Sequence, residues 1–265
     1  MTPAYSNTTN VWGSDTGGGG DFVFAYTAQF GNGLSATISA EEPQTRRSNI
    51  VGDAYAGRQW MDLVGNLRID QAWGSAQVMG AIHQVRLLSG LSSDEYGYGL
   101  GAGVKFNLPM IGKGDSIAAQ FSYAKGAIRY AGGGIGSFNI TEGGTTGVGT
   151  ASDAVVVGTN TELTTAWSIV AGFQHVWTPQ WKTSLYGTYG EVNYNDAASI
   201  VVGGAADGDW SYWQAGSRTV WTPVQNLDLS VDIMYNHLDT AYASLGNEDK
   251  GWWQGIFRVQ RNFYP

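Results

Sequence analysis

The chain has 265 residues; 43% are hydrophobic, 39 are glycine, 11 are tryptophan, 14 are tyrosine and none is cysteine. No apolar run approaches the roughly 18 to 20 residues that a membrane helix needs, and without cysteine neither a disulfide framework nor a thiolate metal centre can form. A net charge of −8 argues against nucleic acid as a partner.

In chain order, residues 1–20 are polar and glycine-rich, with no apolar stretch of the kind that forms a signal peptide. From there the dominant period is two. Phe22, Phe24, Tyr26, Ala28 and Phe30 alternate with Val23, Ala25, Thr27 and Gln29. After Gly31-Asn32-Gly33, Leu34, Ala36, Ile38 and Ala40 alternate with Ser35, Thr37, Ser39 and Glu41, which predicts a hairpin. Met61, Leu63, Leu67 and Ile69 then alternate with Asp62, Asn66, Arg68 and Asp70, and a strand over 75–85 follows. Over 96–108 an unbroken apolar row from Tyr96 to Leu108 faces Gly97, Gly99, Gly101, Gly103, Lys105 and Asn107. A row of glycines ending in lysine leaves nothing to fill a soluble core. Further strands are expected over 116–130, with a bulge at Lys125-Gly126, and over 163–178, 182–195, 210–222 and 227–240; Glu191 breaks the alternation of the third of these. The last strand, 252–263, sets Trp253, Phe257, Val259 and Phe263 on one face and Gln254, Arg258, Gln260 and Asn262 on the other. One face suits lipid and the other water.

These are about eleven strands of an all-β, transmembrane antiparallel β-barrel. Their connections alternate between short turns and long loops, as in bacterial outer-membrane barrels. The long ones fall at 43–59, 89–95, 131–162, 196–209 and 241–251 and hold acidic residues that read as solvated. Trp73, Trp177, Trp181 and Trp221 sit beside the short turns and, with Phe263, are expected to form an aromatic girdle at the periplasmic interface. Eleven is odd, however, and a closed antiparallel barrel needs an even count. Together with the missing export signal, this leads to the expectation that part of a longer natural protein precedes residue 1.

Four separated segments carry a specific resemblance: FAYTAQFGNGLSATISAEEP from Phe24, LVGNLRIDQAWGSAQVMGAIHQV from Leu63, NLPMIGKGD from Asn107 and FRVQRNFYP from Phe257. They resemble the general porins of alphaproteobacteria, the rhizobial and Brucella-type group. The resemblance implies a sixteen-stranded barrel assembled as a homotrimer, with a third loop folded into the lumen as a constriction. It makes residues 1–20 the tail of that loop and residues 21–265 the carboxyl-terminal part of one barrel domain.

Catalytic constellations are poor. His83, His175 and His237 stand on separate strands without an evident carboxylate or second histidine at ligand spacing, so no metal site or Ser-His-Asp set is expected. The glycine runs at 17–20 and 132–136 precede no Lys-Ser/Thr and open no helix; no amphipathic helix is evident either. What parity does supply is a polar face with fixed charge: Arg68, Lys105, Arg218 and Arg258 with Asp62, Asp70, Asp228 and Asp232. Charges of both signs on one wall bias ions and slow apolar solutes. Arg218 and Arg258 best fit the basic wall that opposes an acidic third loop in the resembled family. The expected function is therefore a passive, water-filled channel for small hydrophilic solutes and ions, with no cofactor and no enzymatic activity. Its expected surroundings are outer-membrane lipid and lipopolysaccharide. A substrate-selective channel, or a structural or adhesive barrel acting through its long loops, are the alternatives.

Overall fold

The computed structural model describes residues 22–132 and 137–263. In chain order its elements are β1 (Val23–Gly31), β2 (Leu34–Glu41), β3 (Ile50–Val51), β4 (Asp62–Gln71), β5 (Gly74–Val85), β6 (Glu95–Asn107), β7 (Ser116–Lys125), β8 (Phe138–Glu142), β9 (Thr145–Gly149), β10 (Ala154–Val157), β11 (Asn160–Leu163), β12 (Thr165–Thr178), β13 (Trp181–Asn193), the helix α1 (Asp196–Gly203), β14 (Trp210–Val224), β15 (Leu227–Asp239) and β16 (Lys250–Arg261). Eleven strands form one sheet in the order β1-β2-β4-β5-β6-β7-β12-β13-β14-β15-β16, every pair antiparallel. The eleven strands read from the alternation are these. Within the described residues β1 and β16 have one neighbour each, so the sheet has two free edges.

Short turns follow from residues that tolerate left-handed backbone. Asn32 and Gly33 have φ of 50° and 75°, and a side chain on Gly33 would collide with the carbonyl of Asp70 on β4. Glycine is thus required there twice over. Residues 116–130 behave differently from expectation. Gly126, at φ 66°, ends β7 at Lys125 instead of forming a bulge, and the chain turns into a short 3-10 segment, Ile128–Tyr130. Glu191 interrupts nothing: it pairs in register with Trp167 and Ser211 inside β13.

The two faces of the sheet invert the soluble arrangement. Leu63, Val78, Leu100, Phe121, Leu185, Ile233 and Phe257 are all exposed on the outer face, whereas Ser75, Gln120, Ser168, Gln214 and Asn236 are buried on the inner one. Apolar side chains displayed in this way are stable only against hydrocarbon. Leu100→Arg, in mid-strand on β6, is therefore expected to destabilise the protein by about 2–4 kcal/mol in denaturant titrations of bilayer-embedded protein.

The inner face is not uniformly polar, and it is not bare. At the long-loop end it carries Ala124, Ala166, Val192, Tyr212 and Leu238, which pack with Ile128, Ala151, Val155, Ala198 and Tyr242 from the connections. Residues 137–164 form a strap across that face. It contains two hairpins, β8 with β9 and β10 with β11, and β10 adds a parallel pairing to β3. At one side Ala154 packs with Val85 and Ile50; at the other, Lys250 Nζ donates to the Glu142 carbonyl at 3.1 Å and to Thr145 Oγ1 at 2.7 Å. The 196–209 connection holds α1, a helix the alternation did not reveal, capped by the Asn195 side chain accepting from the Ala198 amide at 2.8 Å.

The glycine row of β6 makes room for this material. A Cβ on Gly99 would lie 2.6 Å from Cβ of Tyr130, and one on Gly101 2.5 Å from Cε of Met79. The row does accommodate packing after all, from the Ile128–Tyr130 segment at Gly99 and from β5 at Gly101. Gly99→Val is expected to displace Tyr130 and cost about 1–3 kcal/mol by overpacking, seen as faster hydrogen exchange at Ile128–Tyr130.

Candidate pore wall and its inner strap

Period-two alternation places the eight charged residues singled out above on the inner face, but in two environments. In the half nearer the short turns, Arg218 on β14 lies between Ser184 and Asp232, and Arg258 on β16 pairs across to Ser230. Asp232 is buried and accepts from Tyr186 Oη at 3.3 Å; Asp228 accepts from Thr222 Oγ1 at 2.5 Å. Lys105 faces Ser75 and Ala118. Arg68 and Asp70 form a bidentate pair, with Nε to Oδ2 at 2.7 Å and Nη2 to Oδ1 at 2.6 Å. Lys182, by parity on the same face beside Val220, adds a cation that the sequence reading passed over.

Asp62 is elsewhere. At the long-loop end it is 1% exposed, with both carboxylate oxygens 2.8 Å from His83 Nδ1 and Oδ2 accepting from Tyr130 Oη at 2.7 Å. It therefore belongs to a buried network and does not face water. His83 Nε2 lies 3.3 Å from Tyr55 Oη, which donates to Asp153 Oδ2 at 2.7 Å. Asp153 also accepts from the amides of Ser48 (2.6 Å) and Ile128 (2.9 Å). One carboxylate of the strap thus joins the 43–59 connection, the Ile128–Tyr130 segment and, through Tyr55 and His83, the sheet. Burial pushes its pKa above the ordinary carboxylate range, against the pull of His83 and the three donors; burial likewise raises the hydroxyls of Tyr55 and Tyr130.

Beside this network lie three arginines. The Arg47 guanidinium sits 4.6 Å from the centre of the Tyr55 ring, that of Arg46 is 5.6 Å from the Tyr130 ring, and Arg129 Nη1 donates to the Thr45 carbonyl at 3.4 Å. The adjacent pair Arg46-Arg47 was the signal available in the sequence, in a connection otherwise read as solvated.

All three histidines have a carboxylate partner, which corrects the expectation that they had none. His83 meets Asp62, His175 Nδ1 meets Asp115 Oδ2 at 2.6 Å and His237 Nε2 meets Asp239 Oδ1 at 3.1 Å. His175 and Asp115 tie the 109–115 turn to β12, and the Val176 amide, with His175, holds the Asp115 pKa below the ordinary range. Trp73, Trp177, Trp181, Trp221 and Phe263 are all exposed near the short-turn end, Trp181 and Trp221 stacked with centroids 5.5 Å apart. The span 1–20 lies outside the described residues.

An apolar outer face, a charged inner face and alternating short and long connections meet a matching family model: the one described as Porin subfamily, Porin_2, aligns with residues 3–256. The chain belongs to this porin subfamily. Its place is accordingly the bacterial outer membrane, and its sheet is porin barrel wall. Among solved structures, this porin chain is similar to the outer membrane channel DcaP of Acinetobacter baumannii, with a TM-score of 0.71 and 17% identity over 91% of this chain and 62% of that one; the likeness is one of fold. An anion-selective porin from Comamonas acidovorans gives a TM-score of 0.49 and 11% identity over 90% and 57%. The porin chain thus spans less than two thirds of either neighbour. No match was found among curated protein sequences.

Proposed function

We propose that this chain forms wall and inner lining of a passive, water-filled diffusion channel for small hydrophilic solutes and ions. The inversion of its two faces carries that reading: an apolar outer surface fixes the sheet in lipid, and the inner one is polar and charged where the strap leaves it open. In the short-turn half, Arg68, Lys105, Lys182, Arg218 and Arg258 oppose Asp70, Asp228 and Asp232, which favours anions although the whole chain is acidic. At the other end the strap narrows the passage, so size exclusion is set by its hairpins and charge selection by the arginine wall.

In this proposal the two free edges are paired within the membrane, because unpaired backbone is untenable in hydrocarbon. Resemblance in four segments supports the finer grouping with alphaproteobacterial general porins, a trimeric assembly and a constriction role for residues 1–20. Lipid and lipopolysaccharide surround the outer face. Liposome swelling with protein purified from outer membranes tests the diffusion function. Swelling rates that fall smoothly with sugar size are expected; no swelling above protein-free liposomes would leave a structural or adhesive barrel, and rates that depend on sugar identity at equal size would indicate a selective channel.

A further inference from the structure

We propose that His237, Asp239 and Asp249 form a divalent-cation site of the zinc class on the outer face, at its long-loop rim. It is independent of the diffusion function. Among the described residues this is the only trio of His, Asp or Glu whose ligand atoms all lie within 4.8 Å of one another. Its assembly follows from the strand geometry. His237 and Asp239 are two apart on β15 and so share the outer face, while Asp249 comes from the connection into β16 and is drawn in by the Thr240 amide, which donates to its Oδ1 at 2.8 Å.

Each of the three side chains is held by a neighbour that leaves ligand capacity free. Ser211 Oγ donates to Asp239 Oδ2 at 2.5 Å, leaving Oδ1 toward the imidazole. The imidazole stacks on the Trp213 ring, centroids 5.5 Å apart and planes inclined by 27°. Asp249 keeps Oδ2 for an ion. Such outer contacts orient ligands in metal sites.

Charge points the same way. The ion pairs of the described residues give Asp239 no partner but His237, and Asp249 none. A tetrahedral zinc ion about 2.0–2.1 Å from each ligand sets ligand atoms about 3.3 Å apart; the His237–Asp239 separation is 3.1 Å, and rotation of the exposed Asp249 side chain closes the rest. One imidazole and two carboxylates suit zinc or manganese better than calcium or magnesium, which prefer oxygen alone. Three protein ligands leave coordination open to water or to an oxygen of the surrounding headgroups.

Calorimetric titration of ZnCl2 into chelator-stripped protein, purified from outer membranes in a zwitterionic detergent, tests the site. One zinc per chain is expected, with affinity falling at least tenfold in His237→Ala and in Asp249→Asn, unchanged in His175→Ala, and not competed by equal MgCl2. Conductance of all three variants is expected to match the parent. Absence of saturable zinc binding would overturn the proposal. Binding that survives both His237→Ala and Asp249→Asn, or that magnesium matches, would overturn it equally.

Discussion

Asp153→Ala is expected to release the strap from the channel wall. Three donors, the amides of Ser48 and Ile128 and the hydroxyl of Tyr55, lose their common acceptor at a site with no water access. Each orphaned donor costs about 1–3 kcal/mol. Removing a carboxylate that burial disfavours returns part of this, so the net loosening is about 2–4 kcal/mol. The contacts of β10 with β3 and β5, the packing of Ala151 and Val155 on the wall and the Lys250 bonds then hold the strap without it. Limited proteolysis of intact outer membranes is expected to cut residues 137–164 in the variant and spare them in the parent, and open-channel noise is expected to rise. Asp153→Asn keeps an acceptor oxygen but turns an NH2 toward a donor, so an intermediate effect is expected. The sign of the pH response follows from the raised pKa. Asp153 favours the folded strap most below the unfolded value of 3.8, and that contribution is lost as pH rises through the higher folded value. Strap cleavage in the parent should therefore increase between acid and neutral pH and be flat with pH in Asp153→Asn.

The second large effect is on ion choice. Reversing both Arg218 and Arg258 to glutamate changes the wall by four charges where Asp228 and Asp232 already stand. Inside a low-dielectric wall such potentials reach several kT, so the ratio of anion to cation permeability is expected to fall on the order of tenfold. Each single reversal is expected to give a smaller shift, with Arg258, the more exposed, governing the part that salt screens. Zero-current potentials under a KCl gradient measure this, and the shift should shrink toward 1 M salt, where the Debye length is about 3 Å. An unchanged potential in the double variant would place the selective charges elsewhere, with Arg46, Arg47 and Arg129 beside the strap network as the next set to reverse.

The sheet was legible in the sequence because a membrane strand must alternate: Leu63, Leu67 and Ile69 against Asn66, Arg68 and Asp70, or Trp253, Phe257 and Val259 against Gln254, Arg258 and Gln260, declare their solvent. Turns were legible for a related reason, since Asn32-Gly33 and Pro223 to Asn226 contain residues that accept or impose special backbone. The strap was not. Its hairpins are short, and its apolar residues Val148, Val155 and Val157 are few and spaced by contacts with the wall rather than by any local period. The helix α1 was missed because only its Ala198 and Ser199 are buried, too few to leave a helical stripe. Parity placed Asp62 on the inner face but could not show that folded loops cover it, since alternation tells a face and not what lies upon it. The pairing of His175 with Asp115 joins residues 60 apart and was invisible, whereas His237 and Asp239 stand two apart and could have been read.

Single-channel recording in planar bilayers, with protein extracted from outer membranes, tests the central claim most directly. The account predicts stepwise conductance that rises in proportion to KCl concentration, with reversal potentials on the anion-preferring side and no saturation by added sugars. Silence across the salt series, or conductance that one solute class saturates and blocks, would contradict a general diffusion channel.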